Sequence, residues 1–297
     1  MPRKLTVIKL WSSPKHDFLT DQGNLICKVR ILLIEKTLLE TINKEEIAIE
    51  RIKEFQNRLE DKENIVAFSG GKDSIVLKDL VKRSGIKARF IYSPPSVDPP
   101  ELRKYIEKYH KDVEIKPYEK DKEGNSITMW TLIPKKLMPP SRLVRYCCDV
   151  LKERTGEEGD TVYLGVRWSE SSKRSKLSMV GFWKKKIVVR PIIDWTDKEV
   201  WEYIHKYNLP YCELYDKGFD RIGCIGCPLS SKSQKKELDM YPKFKESYIR
   251  AFDRMIEERH KKGKECNWIN GKEVYKWWIG EAIKQKEIEG QCSFFGE

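Results

Sequence analysis

The 297-residue chain has no apolar run approaching the ~20 residues that a membrane-spanning helix needs. Arg3 and Lys4 stand near the start, but no long apolar segment follows them, so no secretory signal is read there. The expectation is a cytoplasmic protein with no membrane partner. Internal repeats and low-complexity segments are also missing, which sets aside repeat arrays, and the length suggests one large domain or one domain with appendages. A disulfide framework is not expected either. In a reducing compartment, eight cysteines point to metal binding or thiol chemistry.

The composition is globular, 39% hydrophobic and 35% charged, enough to bury a core beneath a solvated surface. A net charge of +12 favours anions, and nucleotides, nucleic acid or an acidic protein would each satisfy it. The lysines are spread along the whole length, as on an ordinary solvated surface.

Residues 1–43 carry apolar runs at Ile31–Ile34 and Leu38-Leu39 and read as an N-terminal arm or small subdomain suited to self-association, so a homo-oligomer is expected. From Lys44 a helical face of Ala48, Ile52, Phe55 and Leu59 begins. The continuous apolar run Ile65–Phe68 reads as a strand, followed at once by a glycine turn and a helix bearing Ile75, Val76, Leu77, Leu80 and Val81. Further strands are predicted at Phe90–Tyr92, Val162–Val166 and Ile187–Val189, with a crossover helix over Pro100–Tyr109. Thr196 and Glu199 form a capping box for another helix. Residues 44–228 therefore read as a nucleotide-binding α/β domain with a doubly wound parallel sheet. Pro134–Pro140 reads as an interruption, and residues 229–297 as a basic helical extension with a tail.

Ser69-Gly70-Gly71-Lys72-Asp73-Ser74 has the make-up of an anion loop. Its glycines let backbone N–H groups close on a phosphate or sulfate, and the following helix points its positive end there. Lys72 adds a point charge, while Ser69 and Ser74 offer hydroxyls. The glycine–lysine spacing is not that of a Walker A loop. The loop resembles that of the adenine nucleotide alpha-hydrolase group, whose members cleave or read nucleotides between the α and β positions.

Two cysteine pairs stand apart in sequence: adjacent Cys147 and Cys148, and Cys224-x-x-Cys227. Four thiolates from two segments suit an iron–sulfur cluster or a structural zinc, the alternative being buried thiols beside a redox pair. Adjacent cysteines face apart in a strand, so both ligate one site only from a helix end or bent loop. Lys152 follows one turn later, where its ammonium would face both the cysteines and a bound anion.

From about Asn64 to Pro228 the chain resembles the phosphoadenylyl-sulfate reductase family. The resemblance is carried by Pro191–Trp201, Leu209-Pro210-Tyr211, Leu214–Phe219 running into Ile222-Gly223-Cys224, Gly165-Val166-Arg167 with Ser171 and Arg174, and Cys147-Cys148 with Lys152. It implies a reductase of adenylyl sulfate (APS) or its 3′-phosphorylated form (PAPS). A cysteine attacks the sulfate sulfur, forming an S-sulfocysteine. Thioredoxin or a similar dithiol then releases sulfite. By residue matching, Arg167, Arg174 and Lys152 are the cations, and Cys147, Cys148, Cys224 and Cys227 hold a 4Fe–4S cluster. Lys72 and Arg174 are expected to be exposed anion contacts, and nucleic acid is not expected as a partner.

Two departures keep a second reading in play. The unaltered Ser-Gly-Gly-Lys-Asp-Ser loop is the form seen in ATP pyrophosphatases, and the family's C-terminal Glu-Cys-Gly-Leu-His motif is absent. The alternative is an ATP-dependent sulfur transferase acting on tRNA or DNA. A thiol held by a cluster does not readily attack sulfate, which leaves Cys27, Cys212, Cys266 and Cys292 for the nucleophile. Cys292, in a glycine-flanked tail, is the first choice; Cys266, near Lys262 and Lys264, is the second.

Overall fold

The computed structural model describes residues 43–57, 59–230 and 233–281. The expectations for the N-terminal arm, Cys27 and Cys292 fall outside them.

A helix α1 (Lys44–Glu54) precedes the central strand β1 (Asn64–Ala67), whose first three residues are buried. A strand covered on both faces has no polar side to present, which explains its unbroken apolar run. The loop then enters α2 (Lys72–Ser84), followed by β2 (Arg89–Tyr92), α3 (Pro100–Tyr109) and β3 (Val113–Ile115). After α4 (Met129–Lys136) the chain crosses to the other side of β1 as β4 (Thr161–Tyr163). The hairpin of β5 (Val180–Trp183) and β6 (Lys186–Val189) completes the sheet, in the order β3-β2-β1-β4-β6-β5. All neighbouring pairs are parallel except β5 against β6. Because successive strands run outward from β1 in both directions, β1 and β4 flank a topological switch point, where doubly wound sheets bind ligands at their carboxyl ends.

The expected doubly wound sheet is present, with differences in detail. Leu59 lies beyond α1 and is 63% exposed, so it joins no buried face. The fourth strand ends at Tyr163 rather than Val166. Sequence periodicity missed β3 and β5: three residues are too short for a pattern, and β5 is a half-exposed edge. Its turn, Lys184-Lys185, has φ of 49° and 62° without a glycine to signal it. Part of the proline-rich interruption is helical, since α4 contains Pro134. The proline leaves the Trp130 carbonyl without its helical donor, and Arg254 Nη2 donates to it at 3.1 Å.

α5 (Asp197–Lys206) begins at the expected box: Glu199 N–H donates to Thr196 Oγ1 at 3.3 Å, and Thr196 N–H to Glu199 Oε2 at 2.7 Å. Beyond it come α6 (Gln234–Met240), α7 (Pro242–Lys261) and α8 (Gly271–Trp278). Their apolar faces do not form a separate core. Leu238, Phe252 and Trp278 share one cluster with Leu132 of α4 and with Tyr146, Leu151 and Ile225 of the cysteine segments.

A candidate anion crevice and two cysteine segments

Gly70 turns the loop after β1 with φ +73°, and a Cβ there would stand 2.6 Å from Leu102 Cδ1 of α3. Ser74 Oγ donates to the Gly71 carbonyl at 2.8 Å, tying the first turn of α2 back onto the loop. Across the switch point, a Cβ on Gly165 would stand 2.9 Å from the carbonyl carbon and oxygen of Asp73. Both positions need glycine because backbone and side chains close in from the other side. Ser69 is exposed at the mouth, whereas Ser74 is buried.

The cations lie differently from expectation. Lys72 is 6% exposed, not an open contact: Nζ donates to the Asp220 carbonyl at 2.9 Å and pairs with Asp197 Oδ1 at 3.2 Å. Its backbone N–H, at the positive end of α2, donates to the Tyr215 hydroxyl at 2.8 Å. A phenol oxygen thus occupies a position suited to an anion oxygen. Arg167 is 3% exposed, with Nε donating to Asp73 Oδ1 at 2.5 Å, Nη1 to Ser169 Oγ at 2.8 Å and Nη2 to Asp197 Oδ1 at 3.0 Å. It braces the loop helix, the segment after β4 and α5 against one another. Burial holds the Asp73 carboxyl above its ordinary range, with Arg167 and Lys72 pulling the other way. Arg174 is partly exposed and paired with Glu170, so of the expected open contacts only Arg174 reaches solvent.

The cysteines come from two bent segments, as adjacency requires. Cys147 stands just before a π-helical turn, Cys148–Lys152, closed by Glu153 N–H onto the Cys148 carbonyl at 2.9 Å. The Cys224–Cys227 turn is fixed by its neighbours. Gly226 N–H donates to Glu237 Oε2 at 3.0 Å, and the Tyr248 hydroxyl donates to the Ile225 carbonyl at 3.0 Å. All four thiols are half-buried, and Cys148, Cys224 and Cys227 all act electrostatically on Cys147, pushing it up. Cys148 is drawn down by the Cys147 S–H and, against burial, by Arg145. Burial pushes Cys224 up to about 12, against the pull of Lys152. Lys152 is itself held above its ordinary value: burial opposes its charge, but Cys224 and Asp98 outweigh that. Among the described residues no group of three or more His, Cys, Asp or Glu side chains is placed to hold a metal ion.

Cys266 lies between α7 and α8, half-buried against the core that Cys147 and Cys224 also touch, its Sγ 3.7 Å from the Trp268 carbonyl oxygen. Cys212 is fully buried and pushed up by burial, which makes it a poor nucleophile. Sequence reasoning missed Tyr215, Asp197 and Asp98. Tyr215 and Asp197 lie within the segments that carry the family resemblance. Asp98 follows β2 in the proline-dense Ser93–Pro100 stretch, at the sheet edge where ligands bind. A cleft of about 290 Å³ opens there, lined by Tyr92, Ser96, Asp98, Arg103, Tyr118 and Phe244 among others.

Residues 63–230 match the model of the phosphoadenosine phosphosulfate reductase domain. An uncharacterised protein of Methanocaldococcus jannaschii is 30% identical over 248 residues, 79% of this chain and 50% of that protein. A second from the same organism is 27% identical over 75% of this chain and 54% of its own length, so the chain spans about half of each. The adenosine 5′-phosphosulfate reductase of Anoxybacillus flavithermus is 28% identical over 179 residues, 55% of this chain and 72% of that enzyme. Among solved structures, the phosphoadenylyl-sulfate reductase of Candida auris aligns over 70% of this chain and 98% of its own, with TM-score 0.46 and 16% identity. With more than half of its length matched by the domain model, the chain belongs to the phosphoadenosine phosphosulfate reductase family.

Proposed function

We propose that the protein is a sulfonucleotide reductase, releasing sulfite from APS or PAPS in sulfate assimilation. The observation that carries the reading is one of placement within the matched family domain. The candidate anion loop at the β1–β4 switch point and the two cysteine segments belong to the same domain, and Ile225 N–H, beside Cys224, donates to the Val97 carbonyl in the loop after β2 at 2.8 Å. The nucleotide's phosphosulfate sits at the positive end of α2, displacing the Tyr215 hydroxyl from the Lys72 N–H. Arg174 and Lys152 add charge, while Arg167 keeps the loop in shape.

The attacking thiolate is that of Cys292, with Cys266 second. It forms a bond to the sulfate sulfur as the sulfur–oxygen bond to the nucleotide breaks, and AMP or its 3′-phosphorylated form leaves with the electron pair. Thioredoxin or a similar dithiol then attacks the S-sulfocysteine, is oxidised to a disulfide and frees sulfite. Cys147, Cys148, Cys224 and Cys227, four thiols from two bent segments, are the donors that would hold a 4Fe–4S cluster, although the described side chains are not gathered around one metal position. When bound, the cluster supplies a negatively charged neighbour for Lys152.

The experiment is to incubate enzyme with APS or PAPS without reductant and map peptides by mass. A sulfonate adduct on Cys292 is expected. One on Cys266 corrects the nucleophile and leaves the reductase standing. The unaltered Ser69–Ser74 loop favours the second reading, a sulfur transferase that cleaves ATP to AMP and pyrophosphate. ATP cleavage with no modified cysteine establishes that reading and refutes the reductase.

A further inference from the structure

We propose that Arg190 is a further anion-binding residue of the crevice, taking a phosphate or sulfate oxygen of the nucleotide; this rests on the functional reading above. Arg190 directly follows β6, at the carboxyl end of the sheet. Val189 pairs with Tyr163 of β4, so Arg190 stands one strand spacing, ~5 Å, from the backbone just before Gly165. Gly165 in turn abuts Asp73 at the start of α2. The Arg190 N–H still donates to the Met179 carbonyl at 2.8 Å, so strand alternation continues through it. Val189 packs in the core that includes Val76 and Leu80 of α2, which turns Arg190 toward the other face. A Cβ on Gly181 of β5 would stand 3.4 Å from Nη1, which places the guanidinium over that neighbouring strand. A ligand lying outside the strand ends is then reached by α2 from one face and by Arg190 from the other.

The side chain lacks a counter-charge. Arg51, Arg167 and Arg174 each meet a carboxylate, those of Asp194, Asp73 and Glu170. Among the described residues Arg190 meets none. Its Nη1 donates to the Ser178 carbonyl at 2.9 Å, Nε is buried without a partner, and Nη2 has no protein partner either. Unlike Nε, Nη2 is not enclosed, so it is the nitrogen open to a ligand. Burial holds the guanidinium below its ordinary value, and no neighbouring charge offsets this. An arginine does not escape the cost by losing its proton, so a half-buried guanidinium without a carboxylate calls for an anion. Ser178 belongs to the segment between β4 and β5 that also carries Ser171 and Arg174, and the Nη1 bond ties that segment to β6.

The test compares the full-length wild-type and Arg190→Gln chains by calorimetric titration with AMP, APS, PAPS and ATP, together with the Tm of each ligand-free chain. An anion contact predicts binding weaker by about tenfold or more, the scale of one charge-assisted bond. Tm should be unchanged or raised, because an unmet charge has been removed. The ligand identifies the group: a loss on all four marks the 5′-phosphate, on APS and PAPS the sulfate, and on PAPS alone the 3′-phosphate. Undiminished affinity for every ligand overturns the proposal. So does a lowered Tm, which marks Arg190 as a brace for Ser178. If the wild-type chain binds ATP but neither APS nor PAPS, the reductase reading fails, and Arg190 is judged on ATP by the same two measurements. A wild-type chain that binds none of the four overturns both.

Discussion

Replacing Arg167 by glutamine asks whether its guanidinium braces the site or waits for a ligand. The bond to Asp73 joins side chains 3% and 19% exposed, and losing a charge-assisted bond there costs about 1.5–3 kcal/mol. The bond to Asp197 ends on a carboxylate 61% exposed, where solvent screening leaves at most about 1 kcal/mol. Bonds from the guanidinium to the neutral acceptors Ser169 Oγ and the Trp195 carbonyl add about 1 kcal/mol more. The expected loss is about 3–5 kcal/mol, which at this chain length lowers Tm by about 5–8 °C. Asp73 supplies a second, signed test. Its carboxyl is already held up by burial, and removing Arg167 raises it further. With a raised carboxyl pKa the folded chain binds more protons than the unfolded one, so the variant's deficit should shrink as pH falls. Melts followed by tryptophan fluorescence at neutral and acidic pH measure both quantities. An unchanged Tm combined with weaker nucleotide binding, or a deficit that grows on acidification, refutes the bracing role.

Gly165→Ala should weaken nucleotide binding at least tenfold, about 1.4 kcal/mol, because the new methyl pushes Asp73 and the positive end of α2 off β4. Calorimetric titration with APS checks it, and unaltered affinity counts against the crevice. Anaerobically purified protein should be brown with about four irons per chain by metal analysis, and stoichiometric zinc would refute the cluster. His110, 7% exposed, is pushed down to about 4 by burial and the Lys78 ammonium. A depressed imidazole pKa gives stability that is present above 6.5 and lost as pH falls through about 4, here about 3 kcal/mol. His110→Gln should therefore flatten urea-melt stability across that window, and an unchanged acid limb contradicts it.

The sequence by itself determined whatever depends on local pattern. β1, α2, α3 and the α5 capping box are legible because burial period, glycine placement and cap chemistry act over a few residues. The anion loop and the two bent cysteine segments are equally local, since a glycine pair or adjacent thiols restrict the backbone wherever they occur. Only the tertiary structure decided what each charge does. Arg167 and Lys72 look like ligand cations in sequence, yet both are buried. Carboxylates and carbonyls from α2, α5 and the Asp220 loop meet them there, the longest of these contacts spanning 94 residues for Arg167 and 148 for Lys72. The same holds for Tyr215, whose hydroxyl reaches the start of α2 across 143 residues, and for Asp98. The strength of a charge depends on burial and on its neighbours. Both arise when distant segments close around the switch point, and no window of sequence contains them.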